Sequence, residues 1–284
     1  MVRPLRVVAT AAVLACAAQA GAAVVVNYPD FSNPAGLQLN ASAAVVGNVL
    51  RVTPAIDGQA GSVFSLNKVS LAQNASFSTY FQFRFTNPDL NFCDSATTCG
   101  ADGLVFVVQT QSNTAGGAGG GIGYFGIPNS IGIEFDSWNN GAGDNNSSNH
   151  VGFNAGGSVN SAPIVEVAEA DMNNGDVWHS WVDYNGANNL LEVRLNRTGM
   201  RPAASFLSLT RNIATDLGAL DAFVGFTSGT GASHADHDVL TWVLNDRFEP
   251  IDPGTPPIPE PSTYALMAAG LAAVGLMARR RRHA

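Results

Sequence analysis

Charge is scarce in this chain of 284 residues. Charged residues make up 13% of it, about half of the roughly 25% usual in soluble proteins. Positive charge is scarcer still where it would matter. Six of the 14 basic residues, Arg3, Arg6 and Arg279 to Arg282, lie at the extreme ends, and the other eight share the middle with 21 of the 22 acidic residues. A nucleic-acid partner is thereby excluded, because no basic stripe is left to meet phosphates. Carboxylate oxygens in excess are the ligands that calcium prefers. Low charge does not mean disorder here, since 46% of the residues are hydrophobic and a sizeable core can form. The length suits one large β-domain or two small domains.

Cysteine is nearly absent, with three residues in all, Cys16, Cys93 and Cys99. Long helical periodicity is missing outside the C-terminal tail. The glycine-rich stretch 115–123 has no Lys and no strand-loop-helix setting, which excludes a phosphate cradle and nucleotide binding. No Ser-His-Asp or Cys-His arrangement with a family signature is present.

The ends read as addresses. Residues 1–23 have a basic start at Arg3 and Arg6, an apolar run over 7–18, and an A-x-A site at Ala18-Gln19-Ala20. This is the pattern of a signal peptide, cut after Ala20, Ala22 or Ala23. A retained anchor is the alternative, and Leu14 before Cys16 makes a poor lipidation site. With Cys16 removed, Cys93 and Cys99 remain with five residues between them, and an oxidising compartment lets them close a disulfide. No other cysteine is left to complete a metal site.

At the other end, Pro259-Glu260-Pro261-Ser262-Thr263 is followed by an apolar run over 264–278 and then by Arg279 to Arg282. The run is short against the ~20 residues that span a bilayer, and the arginines would hold the C-terminus in the cytoplasm. An ordinary short anchor would look similar. The order of motif, short transmembrane helix and basic tail over 259–284 resembles the PEP-CTERM sorting signal of exported proteins in Gram-negative bacteria that make extracellular polysaccharide. That resemblance implies transient membrane insertion, processing by an exosortase-type enzyme, and release to the cell surface or extracellular matrix. Residues 246–258 are Pro-rich and aperiodic and read as a linker.

The body, 24–245, shows no internal boundary. Short apolar or alternating runs recur at 49–53, 77–85, 104–109, 131–138, 151–153, 178–184, 190–195, 222–226 and 239–244, with Gly, Asn, Asp and Ser between them. Many short strands at this spacing predict an all-β sandwich.

Chemistry concentrates in residues 132–153, GIEFDSWNNGAGDNNSSNHVGF. Alternation on a strand puts Glu134, Asp136 and Trp138 on one face, and Ile133 and Phe135 on the core face. Neighbouring carboxylates on one face repel each other unless a cation lies between them. Asp136, the Trp138 carbonyl, Asn140 and Asp144 make an oxygen set suited to Ca2+. Glu134, Asp136, Asp144 and His150 make a set with one nitrogen, better suited to Mn2+ or another transition-metal ion. Each residue has a plain alternative. Asp144 would serve as a turn residue, His150 as a strand-edge histidine, and Trp138 as a core side chain. His234, Asp236, His237 and Asp238 form another cluster, either metal-binding or structural.

The order Glu134, Asp136, Trp138, Asn140, Asp144, His150 resembles the metal segment of L-type (legume-type) lectin domains. So do Leu37-Gln38-Leu39-Asn40, the strand near 76–85, Ala101-Asp102-Gly103-Leu104, the glycine-rich turn 121–126, and Val224-Gly225-Phe226 through Trp242. The resemblance covers about residues 27–245. It implies a concanavalin A-like β-sandwich, or jelly roll, and calcium-dependent carbohydrate binding without catalysis. It also implies a cis Ala101–Asp102 bond. In such a site Asp102 accepts sugar hydroxyls, Gly123 (or Gly121) donates its N–H, Asn140 donates its amide and Trp138 stacks on the sugar. The loop 231–234, with Ala232 and Ser233, tunes the choice of sugar. Weak single sites would gain avidity in a homo-oligomer. A glycoside hydrolase on the same fold would need a second Glu near Asn139, where none stands. A structural matrix protein without a ligand is the third reading.

Overall fold

The computed structural model of the protein describes residues 24–94, 98–117 and 121–253. The expected signal peptide, the PEP-CTERM tail and its transmembrane helix lie outside the described residues. Among the described residues no helix is long and apolar enough to cross a membrane.

Two eight-stranded sheets form the body. The first runs Leu207–Thr210, Leu190–Asn196, Trp178–Asn185, Phe77–Thr86, Asp236–Asn245, Val49–Thr53, Ala44–Val46, with Val24–Tyr28 also paired to Asp236–Asn245. The second runs Ile164–Glu166, His150–Ala155, Ser130–Asp136, Gly103–Gln109, Asp221–Gly229, Ala60–Ser65, Leu37–Ala41, with Val69–Ser70 also paired to Asp221–Gly229. Every one of these pairings is antiparallel. The nine expected strands are all present, Val49–Thr53 with the expected ends and the other eight with shifted ends.

Period-two alternation explains how the sheets face each other. Phe81 of the first sheet meets Phe106, Phe135 and Phe226 of the second at ring separations of 5.9, 5.6 and 5.1 Å. Ile133 and Phe135 are buried in this core, on the face expected of them. A smaller cluster covers the outer face of the second sheet. There Phe64, Val105 and Val107 pack under Ile122, Tyr124 and Ile127 of the connection between Gly103–Gln109 and Ser130–Asp136.

Register brings the site together. Asp136 pairs with Gly103 on one side and His150 on the other, and Gly103 pairs with Gly229. Four strand ends, the starts of Gly103–Gln109 and His150–Ala155 and the ends of Ser130–Asp136 and Asp221–Gly229, and the loops next to them therefore meet at one end of the second sheet.

Candidate functional site

Strand Ser130–Asp136 stops two residues earlier than the alternation suggests. The Asp136 side chain causes the turn, because its Oδ1 accepts the Trp138 N–H at 2.7 Å. Trp138 thus lies beyond the strand. It is half-buried, and its ring lies against Phe92 with centroids 5.6 Å apart and planes at 18°. The loop then passes exposed Asn140 and enters a short 3-10 turn, Ala142–Asp144. Asp144 points back, and its Oδ2 accepts the Asn140 N–H at 2.5 Å.

These turns gather Asp136, Asp144 and His150. Their ligand atoms lie within 4.8 Å of one another, and all three side chains are buried. Glu134 borders the group. Its Oε1 is 3.3 Å from His150 Nε2 and also takes the Ser161 hydroxyl, while Oε2 accepts Asn154 Nδ2 at 2.5 Å. Gly152 leaves room for this carboxylate, since a Cβ there would meet Glu134 Oε1 at 2.5 Å. His150 Nδ1 is buried and has no hydrogen-bond partner among the described residues.

The electrostatics are unfavourable without a cation. Burial, then Glu134 and Asp144, push the Asp136 carboxyl well above the usual range. Burial raises Asp144 as well, against the hydrogen bond from Asn140 and the nearby His150. Neither carboxylate is ion-paired with an Arg or Lys among the described residues.

Asp102 adjoins this group through the strand ends. The Ala101–Asp102 bond is cis. The Asp102 N–H donates to the Gly229 carbonyl at 3.1 Å, and its own carbonyl accepts the Ser137 N–H at 2.9 Å. Its side chain is buried, with Oδ2 lacking a partner among the described residues. Burial and then Asp144 raise its carboxyl to about 7. Gly123 lies against the neighbouring residue, Ser228. Its φ is +69°, and a Cβ would meet the Ser228 carbonyl at 2.8 Å, so only glycine fits there. Gly121 instead caps the turn, its carbonyl accepting the Tyr124 and Phe125 N–H groups at 2.8 and 3.0 Å.

The loop 231–234 closes the other side. A Cβ on Gly231 would be 3.7 Å from Asp102 Oδ2. Ala232 is exposed. Ser233 does not face solvent, because it is buried and its hydroxyl donates to the Phe92 carbonyl at 2.8 Å. It therefore acts on the loop bearing Phe92 rather than on a ligand. That loop is held by the Cys93–Cys99 disulfide.

The cluster around His234 separates in the structure. Asp238 meets Arg51 at 2.8 Å and Arg84 at 3.6 Å, and Asp236 meets Arg51 at 3.1 Å. His237 is buried against Thr53. His234 pairs with Asp57 at 2.7 Å, with Asp89 nearby, in a more exposed group. Sequence reading missed Phe92, Asp94, Asn154 and Ser161. The first two were hidden in a loop known only for its cysteines, and Asn154 and Ser161 carry no motif.

A profile of the legume lectin domain matches residues 24–257. One for the PEP-CTERM protein-sorting motif matches residues 257–282, all of which lie outside the described residues. L-type lectin-domain containing receptor kinase VIII.1 of Arabidopsis thaliana is 29% identical over 200 residues, covering 66% of this chain and 27% of the kinase. A lectin of Pisum sativum is 29% identical over 188 residues, 61% of this chain and 63% of that lectin. The chain thus spans about a quarter of the first of these relatives and under two thirds of the second. Lectin II from Ulex europaeus has the same fold, with a TM-score of 0.64 at 23% identity over 78% of this chain and 97% of that one. Basic winged bean lectin, solved with Tn-antigen, gives 0.65 at 23% identity over 78% and 96%.

Proposed function

The chain belongs to the legume lectin domain family, whose domains bind carbohydrate without catalysis, and from that membership we propose an exported, calcium-dependent lectin for cell-surface or extracellular polysaccharide. Asp136, the Trp138 carbonyl, Asn140 and Asp144 hold Ca2+ in this reading. Glu134, Asp136, Asp144 and His150 hold Mn2+ or another transition-metal ion. The donor types fit both ions, with hard oxygens for the first and one imidazole nitrogen among carboxylates for the second. Bound cations neutralise the clustered carboxylates and order the loop that carries Asn140.

The chain's own residues then take the sugar. Asp102 accepts two hydroxyl hydrogens through its carboxylate. Gly123 donates its backbone N–H, and its missing side chain lets the ring approach. The Asn140 amide donates a further hydrogen bond. Trp138 lies under the apolar C–H face. Loop 231–234 limits which sugar fits, through exposed Ala232 and through the support Ser233 gives to Phe92.

The PEP-CTERM motif implies export and sorting by exosortase machinery of the kind found in certain bacteria. In our reading the signal peptide 1–23 is removed and body 24–245 stands on linker 246–258. Segment 259–284 anchors the chain in the membrane until an exosortase-type enzyme of a Gram-negative cell removes it.

One observation carries this reading. The buried group Asp136, Asp144 and His150 has no Arg or Lys ion-paired to its carboxylates among the described residues and lies beside Asp102, whose Oδ2 has no partner among them. A glycan array with and without chelator tests it. Glycan signal that disappears with chelator and returns with Ca2+ is the expected result. Release of reducing sugar from β-glucans would replace it with a hydrolase. Absence of both bound metal and glycan signal would leave a structural protein.

A further inference from the structure

We propose that segment 89–92, which runs into the Cys93–Cys99 disulfide near Asp102, carries a second sugar subsite, with Phe92 as its platform and Leu90 at its edge, so that the protein prefers an extended glycan to a single sugar. This rests on the carbohydrate reading of the adjoining site.

Phe92 is 49% exposed and Leu90 is 75% exposed. Single exposed apolar residues are ordinary. These two differ because their loop is tied down on several sides. Cys93 is bonded to Cys99. The Phe92 carbonyl takes the Ser233 hydroxyl at 2.8 Å, and the Asp89 N–H donates to the His234 carbonyl at 2.9 Å. Asp94 Oδ2 accepts the Asn139 N–H at 2.9 Å. The loop is thus joined both to the segment that carries Asn140 and to loop 231–234. An aromatic ring fixed in this way loses little freedom on binding, which favours affinity.

The position of the ring gives the direction of the subsite. Phe92 stacks on Trp138 with centroids 5.6 Å apart and planes at 18°, so the two rings form one aromatic pair in which Phe92 is exposed and Trp138 half-buried. Exposed Asn91 and half-buried Asp89 lie just before it in the chain, and half-buried Asn139 follows Trp138. An apolar surface with a rim of amides and a carboxylate matches a pyranose, which has a C–H face and a ring of hydroxyls. Two side chains are too small a patch for a stable protein partner, which needs about 800 Å² on each side. A glycan already held at Asp102 needs only the extra contact.

Calorimetric titration with the methyl glycosides of mannose, galactose and glucose, and with tri- and tetrasaccharides of the same sugars, tests the proposal. The wild-type protein should bind the tetrasaccharide of its preferred sugar about tenfold more tightly than the methyl glycoside. Phe92→Ala should bring that ratio to within about twofold, and Leu90→Ser should lower it by about threefold. Asp102→Ala should abolish binding of both, which tests the first site separately. A wild-type ratio near one, or a ratio unchanged in both loop variants, overturns the second subsite and leaves the first intact. Failure of the wild type to bind any of these probes in Ca2+ overturns both.

Discussion

Asp136 and Asp144 bring carboxylate oxygens within 4.8 Å of each other and of the His150 ring, in the interior of the protein. Two buried like charges destabilise the fold unless a proton or a cation joins them. Asp136→Asn should therefore stabilise the metal-free protein at pH 7.5, by about 1 kcal/mol or more. In excess Ca2+ the order should reverse, because the wild type gains binding energy that the variant lacks. Urea unfolding of both proteins in chelator and in Ca2+ checks the crossing.

Proton competition should govern metal affinity. The Asp102 carboxyl is raised to about 7 by burial and Asp144, and Asp136 and Asp144 are raised too. Between the ordinary aspartate value of about 3.9 and about 7, the folded metal-free protein holds the Asp102 proton that the unfolded chain has lost. These groups therefore stabilise the metal-free fold at low pH, and that contribution is lost as pH rises through the window. A cation held by Asp136 and Asp144 must displace the protons on those two carboxyls. Calcium titrations should show binding at least about tenfold weaker at pH 5 than at pH 7.5, and equal affinity would contradict this.

His237 should act on stability with the opposite sign. Thr53 Oγ1 is 2.8 Å from both His237 Nδ1 and Ser228 Oγ, and the Ser228 hydroxyl donates to the Gly103 carbonyl at 2.6 Å. Thr53 must then donate to Ser228, and His237 must donate through Nδ1. Its Nε2 is left unprotonated, buried and without a partner among the described residues. Burial, helped by Arg51, lowers this histidine to about 3. The unfolded chain binds a proton below about 6.5, so folding stability falls as pH drops through that value. The stability advantage of wild type over His237→Gln should shrink by about 2 kcal/mol between pH 7 and pH 5. Denaturant unfolding in chelator at the two pH values measures it.

Gly152 should matter for the second ion more than for the first. A Cβ there would meet Glu134 Oε1 and Ser161 Oγ, each at 2.5 Å. Gly152→Ala should displace the Glu134 carboxylate and lower manganese content by about half or more, with calcium largely retained. Elemental analysis of the two purified proteins decides this.

The faces of the central strand were legible because alternation is a local rule. Ile133 and Phe135 enter the core, while Glu134 and Asp136 face the other way. Trp138 departed from that rule because a hydrogen bond from its own N–H to Asp136 ended the strand. Its stacking on Phe92 joins residues 46 positions apart, as read from their numbers, which no periodicity reveals. Ser233 shows the same limit, since its partner is also Phe92. Asn154 and Ser161 reach Glu134 only through strand pairing and the following loop. Short strands such as Ala60–Ser65, with small residues and a weak pattern, were missed for lack of a local signal.

Anomalous diffraction from crystals grown with Mn2+ and Ca2+ tests the central claim most directly. The account predicts a manganese peak in contact with Glu134, Asp136, Asp144 and His150, and a calcium ion beside it on Asp136, Asn140 and Asp144. Crystals at neutral pH with no peak at these residues, and with Asp136 and Asp144 turned away from each other, would contradict it.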